Sequence, residues 1–139
     1  MIIFQKPASE LNFNLNIRLN GTKLTLSDQI KYLGIYLDKH LNGQYHAEYV
    51  MKKLVRANGM LSKVRHYVPK TELKSIYHSI FESILRYGCQ VWFQSCTKEI
   101  QEKIVKLQKK ALRIMSFSDF QAHSSPLFKK KEIIKLLTI

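Results

Sequence analysis

The amino-acid sequence predicts an α+β fold, in which a small antiparallel sheet of three or four strands precedes a bundle of three to four helices. Two patterns support this prediction. Apolar and polar residues alternate with a period of two within residues 1–38, which is typical of half-buried strands. In residues 39–139 the apolar residues recur every three or four positions, which is typical of amphipathic helices.

The strands are predicted from their alternation and from one strong turn signal. Residues 13–19 alternate, and Asn20-Gly21 follows them. Both central residues of a type I′ turn need φ > 0, so this dipeptide predicts a hairpin that returns over residues 23–26. Residues 1–4 and 30–37 are predicted as further strands. Gly34 lies in the middle of the last one, where a glycine indicates a bulge, a bend or the close approach of another backbone.

The helices are predicted from apolar faces and from the residues that end them. In the first, from about residue 47, one face carries Val50, Leu54, Ala57, Leu61 and Val64. It ends before Pro69, because the residue preceding a proline is disfavoured in the α region. A second helix is predicted over about residues 71–87, ended by Gly88. Residues 89–93 are predicted as an apolar link, 116–125 as a loop and 126–137 as a last helix.

A third helix is predicted from residue 98 to about residue 117, with Thr97 as its N-cap. The side opposite its apolar face carries Lys98, Lys103, Lys106, Lys109, Lys110 and Arg113. Only Glu99 and Glu102 dilute these cations, which indicates a binding surface rather than a salt-bridged face. An amphipathic basic helix can also bind a membrane, but this apolar face is needed to cover the second helix and the sheet.

The net charge indicates a polyanionic partner. The 139 residues contain 23 Lys and Arg against 10 Asp and Glu, a formal charge of +13 with a pI of about 9.8. Residues 1–38 contribute +1 of this charge and residues 39–139 contribute +12. Such a charge destabilises a compact fold by self-repulsion unless an anion offsets it. Nucleic acid is the first candidate and an anionic membrane the second.

The first predicted helix has a basic stripe of its own. At ~100° per residue, a narrow arc opposite the apolar face holds Lys52, Arg56, Lys63 and His66, with Gly59 in its middle. One interpretation is a face that follows phosphates, with a gap where a nucleic-acid backbone approaches. The alternative is an ordinary solvated face. Five tyrosines, Tyr32, Tyr36, Tyr45, Tyr49 and Tyr67, could stack on bases, although packing between sheet and helices is the favoured interpretation.

Catalytic and metal-binding motifs are not found in the sequence. Paired metal ions need at least two neighbouring carboxylates, and Asp28, Asp38 and Asp119 are scattered. The histidines lack metal-ligand spacing, and there is no glycine-rich phosphate loop. Cys89 and Cys96 are predicted as free thiols of a reducing compartment, since C-x6-C supplies too few zinc ligands. With no secretory signal and no apolar run of ~20 residues, an intracellular protein, nuclear or cytoplasmic, is expected.

The order of these elements and several motifs resembles one known family. Residues 30–46, I-K-Y-L-G-I-Y-L-D-K-H-L-N-G-Q-Y-H, resemble the Y/F-L-G strand and the D-x-x-L-x-W-x-x-H stretch of reverse transcriptases of non-LTR (jockey/CR1-like) retrotransposons. These segments lie where the palm ends and the thumb begins. L-S-K-V-R, L-R-Y-G, V-W, L-Q-K-K-A-L-R-I and P-L-F follow in the family's order, so the match covers essentially the whole chain.

The resemblance implies a fragment of an RNA-directed DNA polymerase. Residues 1–38 would be a partial palm sheet and 39–139 a basic, thumb-like region, with Tyr32, Leu33 and Gly34 at a primer-grip-like turn. The expected partners are an RNA–DNA or DNA template–primer duplex and the rest of a polymerase palm, not a membrane. The family's catalytic aspartates and their Mg²⁺ are expected upstream of Met1, so no catalysis and no cofactor are expected in this chain.

Two residues depart from the family pattern. Gly43 stands where an aromatic residue is usual, and Phe93 stands where a glycine usually follows Val-Trp. The chain also ends at Ile139, where relatives continue, and a decayed or truncated copy fits these departures. They keep a second hypothesis open, namely a domesticated or decayed helical module whose basic faces meet an acidic protein. Competition by polyglutamate but not by nucleic acid would favour that hypothesis.

Overall fold

A computed structural model describes residues 1–6 and 16–117. Its four strands are β1 (Arg18–Leu19), β2 (Thr22–Lys23), β3 (Gln29–Tyr32) and β4 (Ile35–Asp38). The helical elements are α1 (Gln44–Val64), α2 (Lys70–Tyr77), a π segment (His78–Glu82), α3 (Ser83–Arg86), α4 (Cys89–Trp92) and α5 (Lys98–Ser116). Strands precede helices, so the α+β class is confirmed. The four strands form two separate two-stranded sheets, β1–β2 and β3–β4.

The first hairpin forms where the sequence predicts it. Leu19 pairs with Thr22, and the two residues between them have φ of 49° at Asn20 and 79° at Gly21. Positive φ at both central residues is the signature of a type I′ turn. Within the described residues both strands are shorter than predicted, because residues 16–17 and 24–26 are not part of them. The predictions for residues 13–15 and 118–137 lie outside the described residues.

Residues 1–4 do not form a strand, although they are hydrogen-bonded to the segment between the hairpins. The Ser27 amide donates to the Met1 carbonyl at 2.8 Å, and the amino group of Met1 donates to the Thr25 carbonyl at 2.9 Å. These are isolated hydrogen bonds, because the partner segment is turning from one hairpin into the next.

The prediction of a single strand over residues 30–37 is wrong. Tyr32 pairs with Ile35, and the chain reverses at Leu33 (φ 45°) and Gly34 (φ 79°). Gly34 therefore marks a two-residue hairpin turn and not a bulge within a strand. A leucine in a left-handed conformation is uncommon, and this explains why an apolar run conceals the turn.

The apolar face of α1 is confirmed. Its core residues, Ala47, Val50, Leu54, Ala57 and Leu61, are buried, and Val64 packs against them. This face packs on α5, where the side-chain amide of Asn58 donates to the Leu107 carbonyl at 3.1 Å. α5 also has its predicted bounds. Thr97 precedes it in an extended conformation, but its side chain makes no capping hydrogen bond.

The second predicted helix is interrupted by the π segment. Its buried residues recur every four positions, at Leu73, Tyr77, Phe81 and Leu85. At 3.6 residues per turn such a series drifts around a regular helix, and one wider turn brings it back onto a single face. The Ser83 amide donates to the carbonyl of His78, five residues earlier, as this wider turn requires.

Trp92 is the centre of the junction between strands and helices. It is 1% exposed and lies on α4, a helical turn where the sequence predicts only a link. Its indole N–H donates to the Tyr87 carbonyl at 3.0 Å, and its own carbonyl accepts from the Cys96 thiol at 3.0 Å. Cys89 and Cys96 are buried free thiols, as predicted. Gly43, with φ of 68°, precedes α1 directly against this turn.

We expect Gly43→Ala to destabilise the protein more than Gly21→Ala. Both glycines have positive φ, which costs an alanine about 1–2 kcal/mol. A Cβ at Gly43 would lie 2.5 Å from the Trp92 carbonyl oxygen, whereas a Cβ at Gly21 has nothing within 4 Å. Moving that backbone adds about 1–3 kcal/mol. Urea unfolding of both variants measures the difference, and equal losses of unfolding free energy would contradict the packing of α4 on Gly43.

Candidate nucleic-acid interface

The predicted stripe on α1 is solvent-exposed. Lys52, Arg56, Gly59 and Lys63 are all exposed on the side of the helix opposite its buried residues. Within residues 1–6 and 16–117, no carboxylate lies within ion-pair distance of the three cations. A Cβ built at Gly59 would meet nothing within 4 Å, so the surface between them is open. Nucleic-acid binding by this stripe stays a prediction.

His66 is not part of the α1 stripe, because α1 ends at Val64. It lies in the turn that follows, where the Arg65 Nε donates to the His66 Nε2 at 3.2 Å. Arg65 and Lys70 lie 5.1 and 5.4 Å from the centre of the Phe117 ring, and the His66 ring meets the same ring edge-on. The turn after α1 is therefore a second small basic cluster, held around one aromatic ring.

Four of the six predicted α5 cations are exposed on the side away from its buried residues. Lys98, Lys103, Lys106 and Lys110 are exposed, and Lys109 and Arg113 are half-buried. The ammonium group of Lys103 is 2.6 Å from the Glu99 carboxylate, and its hydrogen bond lowers the pKa of Glu99. The basic sides of α1 and α5 both point away from the core that the two helices share. They form two separate surfaces.

The turn of the second hairpin is fastened to the helices by Tyr87. Its hydroxyl donates to the Leu33 carbonyl at 2.6 Å, and its ring lies beside Gly34, 3.4 Å from the position of a built Cβ. The left-handed conformation of Leu33 costs about 1–3 kcal/mol and persists only where surrounding contacts impose it. Tyr32 and Leu33 are 62% and 72% exposed, so this fixed turn presents its side chains to solvent.

A cleft of about 330 Å³ lies between this turn, α1 and α3. Tyr49 is central to it, because Lys53 and Lys31 place their ammonium nitrogens 4.5 and 5.9 Å from the centre of its ring. A hydrogen bond from Lys53 lowers the pKa of Tyr49. The Tyr36 ring meets Tyr49 edge-on with centroids 5.0 Å apart.

Sequence reasoning missed this cleft. Lys31, Lys53 and Tyr87 come from three separate elements, and no periodicity links them. For the tyrosines, packing is confirmed at Tyr36 and Tyr49, which are half-buried. The other three are exposed: Tyr32, Tyr45 and Tyr67.

His46 joins the hairpin to the core. It is 2% exposed and lines the cleft, and its Nδ1 accepts a hydrogen bond from the Tyr36 amide at 3.3 Å. The acceptor role of Nδ1 places the proton of the neutral ring on Nε2. The ring also meets Trp92 edge-on, with centroids 5.3 Å apart. Burial, and then the charge of Lys53, lowers the pKa of His46.

Residues 1–6 and 16–117 bring together no group of three or more His, Cys, Asp or Glu side chains that could hold a metal ion. None of the helices in this part of the chain is long and apolar enough to cross a membrane.

Comparison with known proteins finds that this chain is similar to proteins of retrotransposable elements. The chain is 29% identical over 82 residues to the Pol polyprotein of the type-1 retrotransposable element R1 of Bradysia coprophila, covering 57% of this chain and 8% of that protein. It is 27% identical over 84 residues to the corresponding R1 4 polyprotein of Nasonia vitripennis, covering 58% and 21%. A third relative, the probable RNA-directed DNA polymerase from the Drosophila melanogaster X-element, is 27% identical over 112 residues, covering 78% and 12%.

The resemblance to Pol proteins of non-LTR retrotransposons is thus confirmed. The relatives indicate a region of a retrotransposon reverse transcriptase. No protein-family model matches the chain, and no solved structure matches it at comparable significance. The chain spans between 8% and 21% of the length of the curated relatives it matches.

We expect Tyr87→Phe to loosen the hairpin turn without unfolding the helices. The substitution keeps the ring beside Gly34 and removes the hydroxyl that donates to Leu33. Loss of one such hydrogen bond costs about 0.5–1.5 kcal/mol. Amide hydrogen exchange should accelerate in β3 and β4 and stay unchanged in α5. Unchanged exchange in the hairpin would show that the hydroxyl does not hold the turn.

The lowered pKa of His46 predicts acid sensitivity. Its pKa in the folded protein lies below the ordinary 6.5. Between these two values the unfolded chain binds more protons, so the free energy of unfolding falls as pH falls through about 6.5 toward the lowered pKa. The slope from this group is at most about 1.4 kcal/mol per pH unit. Urea unfolding from pH 7.5 to 5.5 measures it, and His46→Asn should flatten the curve. If the wild-type protein and the His46→Asn variant show the same slope, another titrating group causes the acid sensitivity.

Proposed function

We propose that this chain is the end-of-palm and thumb region of an RNA-directed DNA polymerase of a non-LTR retrotransposon, and that it grips a template–primer duplex by its phosphates. The observation that carries the proposal is the α1 stripe, three exposed cations with no carboxylate partner in the described part of the chain. Contacts from Lys and Arg to phosphates do not depend on the base sequence of the nucleic acid, and a polymerase must likewise bind templates of any sequence.

The stripe begins beside the hairpin and continues along the helix. Lys52 borders a recess with Gln29 and Tyr36 of the hairpin. From Lys52 to Lys63 the helix rises by roughly 16 Å, at about 1.5 Å per residue. At about 3.4 Å per phosphate along one strand, that length covers about five phosphates. A duplex lying on α1 would therefore reach the hairpin beside Gln29 and Tyr36 at one end.

The α5 surface supports the same function as a second, weaker contact. Its cations are more numerous, but Lys103 is already paired with Glu99. Each phosphate neutralised releases counterions, so both surfaces should make binding strongly salt-dependent. The proposal assigns no bond-making step to this region, whose contribution is to hold nucleic acid in position for the rest of the polymerase.

We expect the double variant Lys52→Gln/Arg56→Gln to weaken binding to an RNA–DNA hybrid. Removing two phosphate contacts should reduce the slope of log K against log salt concentration by about 2. Fluorescence anisotropy measures this slope at salt concentrations from about 50 to about 300 mM, where the affinity changes steeply with salt. The matched control is Arg18→Gln/Lys23→Gln, which removes the same two charges from the exposed first hairpin and should leave the slope unchanged.

Three outcomes would contradict the proposed grip. The wild-type chain could fail to bind the hybrid at low salt, its binding could be insensitive to salt, or both double variants could lose the same affinity. Displacement by polyglutamate but not by nucleic acid would instead support an acidic protein as the partner.

A further inference from the structure

The cleft beside the hairpin turn has an uncompensated positive charge. Lys31 and Lys53 line it, and none of its lining residues in the described part of the chain is acidic. The two acids that adjoin its lining residues in sequence, Glu82 and Glu48, are not part of the lining. Glu82 pairs with His78 and Arg86, and Glu48 borders the other recess of the hairpin. Two cations facing an empty space of this size favour an anionic ligand.

The cleft is also held in shape before any ligand arrives. The Tyr87 hydroxyl fixes one wall through the Leu33 carbonyl, at 2.6 Å. His46 fixes the opposite wall through the Tyr36 amide. The ring of Tyr49 holds both ammonium groups within 6 Å of its centre. Pre-organised groups lose less entropy on binding, so even a small ligand could be held.

We propose that this cleft is a phosphate-binding subsite that takes the phosphate monoester of a single nucleotide. The inference deepens the proposed function, because the ligand would come from nucleic acid or its precursors. Two ammonium groups match the charge of a dianionic phosphate, and lysine binds phosphate as a point charge. A volume of about 330 Å³ is enough for one nucleotide. The half-buried Ile84 and the buried Val50 provide an apolar wall for the sugar or base.

The chain contains a matched control for this subsite. Lys52 and Lys53 are adjacent on α1, yet Lys53 lines the cleft and Lys52 lies on the stripe. Consecutive residues of a helix point ~100° apart, so each can be changed without altering the other surface. Lys53→Gln and Lys52→Gln remove the same charge from almost the same place in the sequence. They should affect different ligands.

The test is a titration of the full chain with adenosine monophosphate. The NMR signals of the His46 ring report binding. We expect saturable shifts with adenosine monophosphate and none with adenosine. Lys53→Gln, and independently Lys31→Gln, should weaken the affinity at least ~10-fold, while Lys52→Gln leaves it unchanged. Equal shifts with adenosine, no saturation, or equal losses in the Lys52 and Lys53 variants would overturn the subsite.

The source of the phosphate is distinguished by a second pair of ligands. A 5′-phosphorylated single strand that binds more tightly than its unphosphorylated form indicates a strand end as the natural ligand. Equal binding of the two strands, with adenosine monophosphate still bound, indicates a free nucleotide. An RNA–DNA hybrid without terminal phosphates separates this inference from the proposed function. If the chain binds adenosine monophosphate but not this hybrid, the duplex grip is overturned. If it binds the hybrid but not adenosine monophosphate, the subsite is overturned.

Discussion

The packing of Trp92 is the constraint on which the rest of the structure depends. Its indole N–H bonds to the carbonyl of Tyr87, and Tyr87 in turn holds the hairpin turn through Leu33. Its ring meets His46, which bonds to the hairpin at Tyr36. Its backbone lies so close to Gly43 that no side chain fits there. One buried residue thus sets where α1 begins and where the hairpin lies against it, and these two placements create the cleft.

This arrangement explains Gly43, which stands where the resemblance leads us to expect an aromatic residue. Gly43 adopts φ of 68° and lets the Trp92 backbone come into contact with the start of α1. A left-handed conformation and the close approach of another backbone are two situations that favour glycine over other residues. Gly43 therefore has a structural role at this junction, which a larger residue could fill only if the Trp92 backbone moved.

How far the sequence predicted this structure depends on whether a feature is local. The α1 and α5 faces and the Asn20-Gly21 hairpin follow from periodicity and from the intrinsic preference of a dipeptide for positive φ. The Leu33-Gly34 turn does not, because Leu33 is held in place by Tyr87, which is 54 residues away. The π segment was not predicted either: the sequence predicts one uninterrupted helix there, although the buried residues from Leu73 to Leu85 recur every four positions. No local sequence pattern indicates the cleft, because Lys31 and Lys53 lie on different elements and come together around the Tyr49 ring.

The stripe and the cleft are linked by the geometry of α1. Arg56 lies about 60° around the helix from Lys53 and one turn further along, at ~100° per residue, so positive charge continues from one surface to the other. Tyr49 lines both the cleft and the recess that Lys52 borders. A strand that follows the stripe toward the hairpin would therefore arrive at the mouth of the cleft. Because the proposed subsite takes a phosphate monoester, a strand that reached it would bind there by its phosphorylated end.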